Sequence, residues 1–275
     1  PLRHGFQPSV PGCGPGPSRC PTFGRLQHRL SSGSHATPLG DTEGVYIPDH
    51  FRPTDADVRD LLANLGAADL ITATSEGLLA TMLPLIYEPP GTRGAPDGAR
   101  EHGRLMGHLA RPNRQWKLAP IGEALVIVRG PDAYISPAWY VTKQEHGRVV
   151  PTWNYITAHL HGRLVIHDDP AWVEANVRAL SDRHEAHRTE PWSVDDAPRA
   201  YIAGQLKAIV GVEIQITRIE AKFKLGQNRS IEDIDGGIAG LEGRATAVDG
   251  AIAGLEAGAP PAEVAVARAM RAASA

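Results

Sequence analysis

Cysteine is nearly missing from this 275-residue chain: only Cys13 and Cys20 occur. Two thiols with six residues between them fit no common zinc spacing, and they cannot supply a disulfide framework. No apolar stretch approaches the roughly 18 residues that a membrane span needs, and the N-terminal stretch has no compact apolar region of the signal-peptide type. The expectation is a cytoplasmic protein with no membrane partner. Charge of one sign is also lacking. Lys and Arg total 28 against 31 Asp and Glu, a net of −3, so nothing draws the chain globally toward nucleic acid or anionic lipid. The catalytic signatures G-x-S-x-G, the Walker loop and the dinucleotide glycine fingerprint do not occur.

What is present divides the chain by composition. Residues 1–44 are rich in Pro, Gly and Ser without hydrophobic periodicity, so a disordered N-terminal tail is expected there. From VYIPDHF (45–51) onward the pattern is ordered. Thr54 caps a helix over DADVRDLLANLG with Val58, Leu61, Leu62 and Leu65 on one side, and Gly66 is a natural stop. Strand-like runs follow at 69–74, 78–87, 103–110, 123–130, 133–140, 147–164 and 210–225, with SEG as a hairpin turn and 88–103 as a loop. In VEIQITRI, Val212, Ile214 and Ile216 share one face and Glu213, Gln215 and Thr217 the other, wetter one. Two helices interrupt the strands: one capped by Asp169 with an apolar stripe of Val173, Val177 and Leu180, the other capped by Asp196 with Ile202, Leu206 and Ile209. Strands at this spacing suggest a barrel or sandwich, and the class is α+β, mainly β. The last 45 residues are expected to be helical. DGGIAGLEG at 235 returns as DGAIAGLEA at 249, an offset of 249 − 235 = 14 residues. Two heptads place Ile238, Leu241, Ile252 and Leu255 on a similar face, ready to pack on the barrel or on a partner chain. The expected domains are therefore a tail (1–44), a barrel (45–230) with a helical insertion (170–208), and a helical C-terminal extension (231–275).

Two patterns invite functional readings that their spacing does not support. DRHEAHR (182–188) puts His184 and His187 three residues apart, whereas a zinc-protease helix needs four and a glutamate base between them. No metal is expected there, nor at His159 and His161, which share a strand face without a third ligand. The two inserted helices are joined by a long proline-containing linker, too long for a helix-turn-helix. Direct DNA binding is accordingly not expected.

Four segments combine aromatic, amide and cationic residues beside strands: GHLARPNRQW (107–116), GPDAYISPAWY (130–140), VVPTWNY (149–155) and KFKLGQNRS (222–230). Indole and phenol faces stack planar rings, amides pair donors with acceptors, and Lys or Arg neutralise phosphate. Four such segments in one chain suggest a concave site for a flat, anionic ligand.

GPDAYISPAWY, VVPTWNY, AHLHGRL (158–164) and IVGVEIQITRIEAKFKLGQNRS (209–230), together with DRHEA and YIPDHF, resemble the PaiB family of FMN-binding negative transcriptional regulators over about residues 45–243. The resemblance implies an FMN-binding split β-barrel with peripheral helices and a helical C-terminal tail, FMN as cofactor, and a homodimer that holds FMN at the subunit interface. It also implies a regulatory role; a flavin-dependent oxidoreductase of the pyridoxamine-phosphate-oxidase-like class is the alternative, since flavin supplies its own reactivity. Expected phosphate-side cations are Lys143, Lys224 and Arg229. Thr152, Asn154, Asn113 and Gln227 are expected to hydrogen-bond the cofactor, and Trp139 and Trp153 to pack on its ring. The odd positions of the 153–161 strand would line the crevice or the seam, with Ile156, Ala158 and Leu160 filling the barrel.

Overall fold

The computed structural model describes residues 44–92, 101–251 and 262–274, and of residues 244–251 the backbone alone. The expected N-terminal tail, and Ile252 and Leu255 of the repeat, lie outside the described residues. Six strands form a closed antiparallel barrel: β1 (Ala67–Thr74), β2 (Gly77–Glu88), β3 (Arg104–Ala110), β4 (Ala124–Ile135), β5 (Thr152–His167) and β6 (Ile209–Lys224), in the spatial order β1-β2-β3-β6-β5-β4 with β4 returning to β1. Alternation along each strand sends one set of residues inward. Leu70, Leu83, Leu85, Leu105, Val126 and Ile214 are each at most 3% exposed. Ile156, Ala158 and Leu160 are buried as their even positions required. The fold is that of the α+β, mainly β barrel expected from the sequence.

Two runs read separately, 123–130 and 133–140, form in part a single strand. The ladder between β4 and β5 continues on both sides of a register shift between Arg129 and Asp132. Pro131 cannot donate to a ladder, and a bulge accommodates it without ending the strand. Beyond Ile135 the chain leaves the sheet in a short 3-10 turn at Pro137–Trp139.

Helix α1 (Asp55–Ala63) starts on a reciprocal cap: Asp57 N donates to Thr54 Oγ1, while Thr54 N donates to the Asp57 carboxylate. After α2 (Thr142–His146), the insertion supplies α3 (Pro170–Glu185) and α4 (Arg199–Leu206). Asp169 caps α3 as expected, accepting from Ala171 N and Trp172 N. Asp196 does not cap α4. It closes a 3-10 turn by accepting from Ser193 N, and α4 starts at Pro198 without a side-chain cap. Arg183 of the DRHEAHR stretch donates to the carbonyls of Ala63 and Leu65, satisfying the end of α1. That stretch is structural, and the described residues hold no cluster of three metal-ligating side chains.

The outer face of β6 is not the wetter side that its alternation suggested. Glu213 and Gln215 are 1% and 4% exposed: α3 packs on β6, and Arg104, Arg163 and His167 lie against the two side chains. Their burial is compensated: Glu213 accepts from Arg104 at 3.1 Å and from Gln215 at 2.8 Å and lies 3.1 Å from His167, whose ring stacks on Trp172 at 4.0 Å. Helices α5 (Ile231–Ala251) and α6 (Ala262–Ser274) pack on the chain's own barrel. Ile238, Leu241, Val266 and Met270 form a second core with Ile135 and Ile156.

Candidate functional site

The end of β6 gathers three cations. Lys222 and Lys224 alternate onto one face, and Arg229 follows in the turn after the strand. Lys224 Nζ donates to Thr152 Oγ1 at 2.5 Å and to the Trp153 carbonyl at 2.7 Å; Lys222 Nζ donates to the Tyr46 carbonyl at 3.3 Å. Both ammonium groups lie 5.9 Å from the centre of the Phe51 ring, and Arg229 lies 4.7 Å over the Tyr140 ring. Aromatic faces supply some attraction to cations. None of the three, however, has a carboxylate within 4.0 Å among the described residues. Burial, and then repulsion from Lys222 and Arg229, hold the Lys224 ammonium below the ordinary lysine range. Burial likewise pushes the Tyr140 hydroxyl up, with Arg229 pulling it partly back. Such a grouping favours an anion, which would relieve the mutual repulsion of the cations.

The indole of Trp153 sits next to this cluster. It is 49% exposed, its Nε1 donates to Asp132 at 3.0 Å, and its ring meets Tyr134 edge-on at 6.2 Å. The bond to Asp132 fixes the orientation of a large flat surface that remains open to a ligand.

The other expected residues are dispersed. Asn154 alternates inward, 2% exposed, with Nδ2 3.4 Å from Met270 Sδ and Oδ1 unpartnered. Gln227 ties its own turn, accepting from Leu225 N and donating to the Phe223 carbonyl. Trp139 packs on α5, where a Cβ on Gly240 would fall 2.2 Å from its ring. Lys143 is exposed on α2. Asn113 bridges Thr81 Oγ1 at 3.0 Å and Gln115 N at 2.8 Å, beside the start of β6, at the opposite end of that sixteen-residue strand from Lys224. Arginines occur near Asn113, but they are already matched: Arg111 by Asp168 at 2.6 Å and Arg114 by Glu76 at 2.8 Å. The structure groups Thr152, Trp153, Lys224 and Arg229; Asn154 and Gln227 adjoin them along the chain but turn inward or into their own turn, Trp139 and Lys143 flank Tyr140, over which Arg229 lies, and Asn113 alone sits at the far end of β6. Lys222 and Phe51 were not singled out from the sequence. The period of two along KFK would have placed Lys222 beside Lys224; Phe51 is brought there only by the folded path of the chain.

A second feature is an uncovered apolar stripe. Leu78, Ala80, Met82 and Pro84 all point outward from β2 and are exposed, Leu78 at 77% and Met82 at 72%.

Residues 45–218 match the family model described as "Putative FMN-binding domain". The protease synthase and sporulation protein PAI 2 of Bacillus subtilis is 31% identical over 191 residues, covering 69% of this chain and 85% of that protein. An uncharacterised protein, AN0679, of Emericella nidulans is 34% identical over 191 residues, covering 60% of this chain and 75% of its own. Among solved structures, the FAD and heme binding protein from Mycobacterium smegmatis is 17% identical with a TM-score of 0.45, covering 69% of this chain and 80% of that chain.

Proposed function

The chain belongs to the FMN-binding domain family matched over residues 45–218, and from that premise we propose that it holds the FMN phosphate at Lys222, Lys224 and Arg229, as a homodimer, and serves as a PaiB-type negative regulator of transcription. The observation that carries the site is the cation cluster without a carboxylate, whereas the arginines beside Asn113 are paired. A phosphate there accepts from two ammonium groups and the Thr152 hydroxyl, and Trp153 offers its open face to the ring system. FMN supplies the redox chemistry when bound; the protein's own residues bind and orient it. Asn113 is remote from Lys224 within one chain and contributes only across a seam from a second copy. Asn154, Gln227 and Trp139 act through the framework: the first two order the start of β5 and the turn after β6, and Trp139 packs on α5, while Lys143 stays exposed on α2.

The homodimer is supported by the stripe on β2. Four consecutive outward apolar residues on one strand are unusual for a free surface and usual for a buried one. The regulatory reading is supported by the likeness to the sporulation protein. Its action is proposed to run through flavin state or a partner instead of direct groove contact: α3 and α4 are separated by residues 186–198, with a 3-10 turn between them, and the net charge is −3.

The deciding experiment is an absorbance spectrum of the purified protein followed by titration of the flavin-free form with FMN. Yellow protein, or quenching of added flavin with a micromolar Kd, is expected. Colourless protein with no FMN uptake rules the reading out. Addition of NADH or NADPH then separates the two roles: a regulator leaves the bound flavin unbleached, an oxidoreductase reduces it.

A further inference from the structure

A hollow of about 500 Å³ opens at the mouth of the barrel, between α1, the turn at residues 50–54 and the last turn of α6. That size suits a small organic ligand. Its floor is apolar: Leu61, Ile156, Phe223 and Leu225. The inward alternation of Ile156 and Phe223 puts this hollow on the barrel-interior side, whereas Lys222 and Lys224 flank Phe223 on the opposite face. It is therefore separate from the proposed phosphate site. Its third wall is built from Ala269, Ala272 and Ala273, whose short side chains leave the space open.

The rim carries charge of mostly one sign. Asp57 and Asp60 both face the hollow from α1. They stand three residues apart on one helix, where like charges repel. The Asp57 carboxylate is engaged only by Thr54, a neutral residue, and no hydrogen bond or ion pair of the Asp60 carboxylate occurs in the described structure. The one arginine on the rim, Arg52, is offset by Asp49 at 3.7 Å. His50 is turned edge-on to Phe51 at 4.1 Å. The carbonyl end of α6 lies at the same rim and adds partial negative charge. A cation between Asp57 and Asp60 would relieve their repulsion, and an anion would meet both.

We propose that this hollow is a binding site for a small amphipathic organic cation, with its apolar body on the Phe223–Leu225 floor and its ammonium group against Asp60. The occupant is defined by charge and size: a primary or quaternary amine carrying one compact hydrophobic group. Recognition combines burial of that group with a solvent-screened charge contact at the exposed Asp60.

The test is calorimetric titration of the full chain with phenethylamine, with 3-phenylpropanoate and with 3-phenylpropanol, three phenylalkyl probes of similar size and different charge. Phenethylamine is expected to bind more tightly than the other two by about two- to fivefold, the worth of one screened charge contact. Asp60→Asn should remove that preference, and Ala273→Trp, at an exposed position on the last turn of α6, should block all three. Equal binding of the three probes, tighter binding of the carboxylate, or unchanged phenethylamine affinity in Asp60→Asn would overturn the proposal, as would no binding of the amine at millimolar concentration. If Ala273→Trp loosens α6, the Asp60→Asn comparison decides alone. Titration of both FMN-saturated and FMN-free protein keeps this outcome separate from that of the flavin reading.

Discussion

Lys224 donates to the Thr152 hydroxyl at 2.5 Å and to the Trp153 carbonyl at 2.7 Å, and neither acceptor carries a charge. A half-buried ammonium held by neutral oxygens beside two other cations gains most from an incoming anion. Lys224→Met should therefore weaken FMN binding by about ten- to a hundredfold, the range of a charge-assisted hydrogen bond. The far smaller effect of Lys143→Met, on exposed α2, is the control. The pH dependence has a definite sign. Phosphate binding favours the protonated amine, and burial has lowered the pKa of that amine below 10.5. Affinity should then fall as pH rises through the lowered value, earlier than an ordinary lysine would impose. Fluorescence-quenching titrations across alkaline pH measure both effects.

Trp139 lies where α5 has no side chains to obstruct it. A Cβ on Gly240 would sit 2.2 Å from the indole, whereas one on Gly243 would meet nothing within 4 Å. Gly240→Ala should destabilise by about 1–3 kcal/mol through overpacking. Gly243→Ala should be neutral or stabilising by up to about 1 kcal/mol, since alanine is the better helix former. Urea midpoints at constant m compare the two directly.

Acid should loosen the fold through His159. Burial lowers its pKa below 6.5; Glu220 partly restores it and His161 lowers it further. The unfolded chain therefore binds a proton at a pH where the folded chain resists one. Stability from this group is complete above pH 6.5 and is lost as pH falls from there toward the depressed folded value. His159→Gln should flatten that part of the curve of unfolding free energy against pH. An unchanged slope just below pH 6.5 would remove His159 as the cause.

The carboxylate of Glu213 accepts from Arg104 and Gln215 and faces His167 while 1% exposed. Glu213→Gln leaves Arg104 short of one buried counter-charge and should cost about 3 kcal/mol. Glu76→Gln removes an exposed partner of Arg114, and should cost less than about 1 kcal/mol. Denaturant unfolding of the two variants separates a buried ionic network from a surface pair.

The same residues show what sequence makes legible. Alternation marked the inward positions of β5 and β6 correctly, because the barrel core selects apolar residues every second place. Alternation could not say that α3 would pack on β6 and that Arg104, Arg163 and His167 would lie against its outer side chains, so Glu213 and Gln215 looked solvated. The runs 123–130 and 133–140 read as separate, and a bulge lets β4 continue from one into the other. At the site, Thr152, Trp153, Lys224 and Arg229 lay in segments whose chemistry stood out, and register brought them together. Trp139, Asn154 and Gln227 are of the same chemical types and serve packing or turn closure. Residue type alone does not separate an indole that packs on glycine from one that stays open.

The uncovered stripe of β2 yields the last prediction. Leu78 and Met82 are 77% and 72% exposed, and Ala80 and Pro84 extend the same line. Their outward positions leave the barrel core untouched, so a charge placed there should not unfold the chain. On a two-fold seam the same residue meets its own copy or a neighbour of it, so one substitution introduces two charges into the contact. Met82→Glu should therefore shift the protein to monomer in sedimentation velocity while its circular dichroism stays unchanged. FMN affinity should fall with it, because Asn113 can approach the Lys224 cluster only from a second chain. A Met82→Glu protein that remains dimeric would place the seam on another face, and a monomer that keeps full FMN affinity would confine the flavin site to one chain.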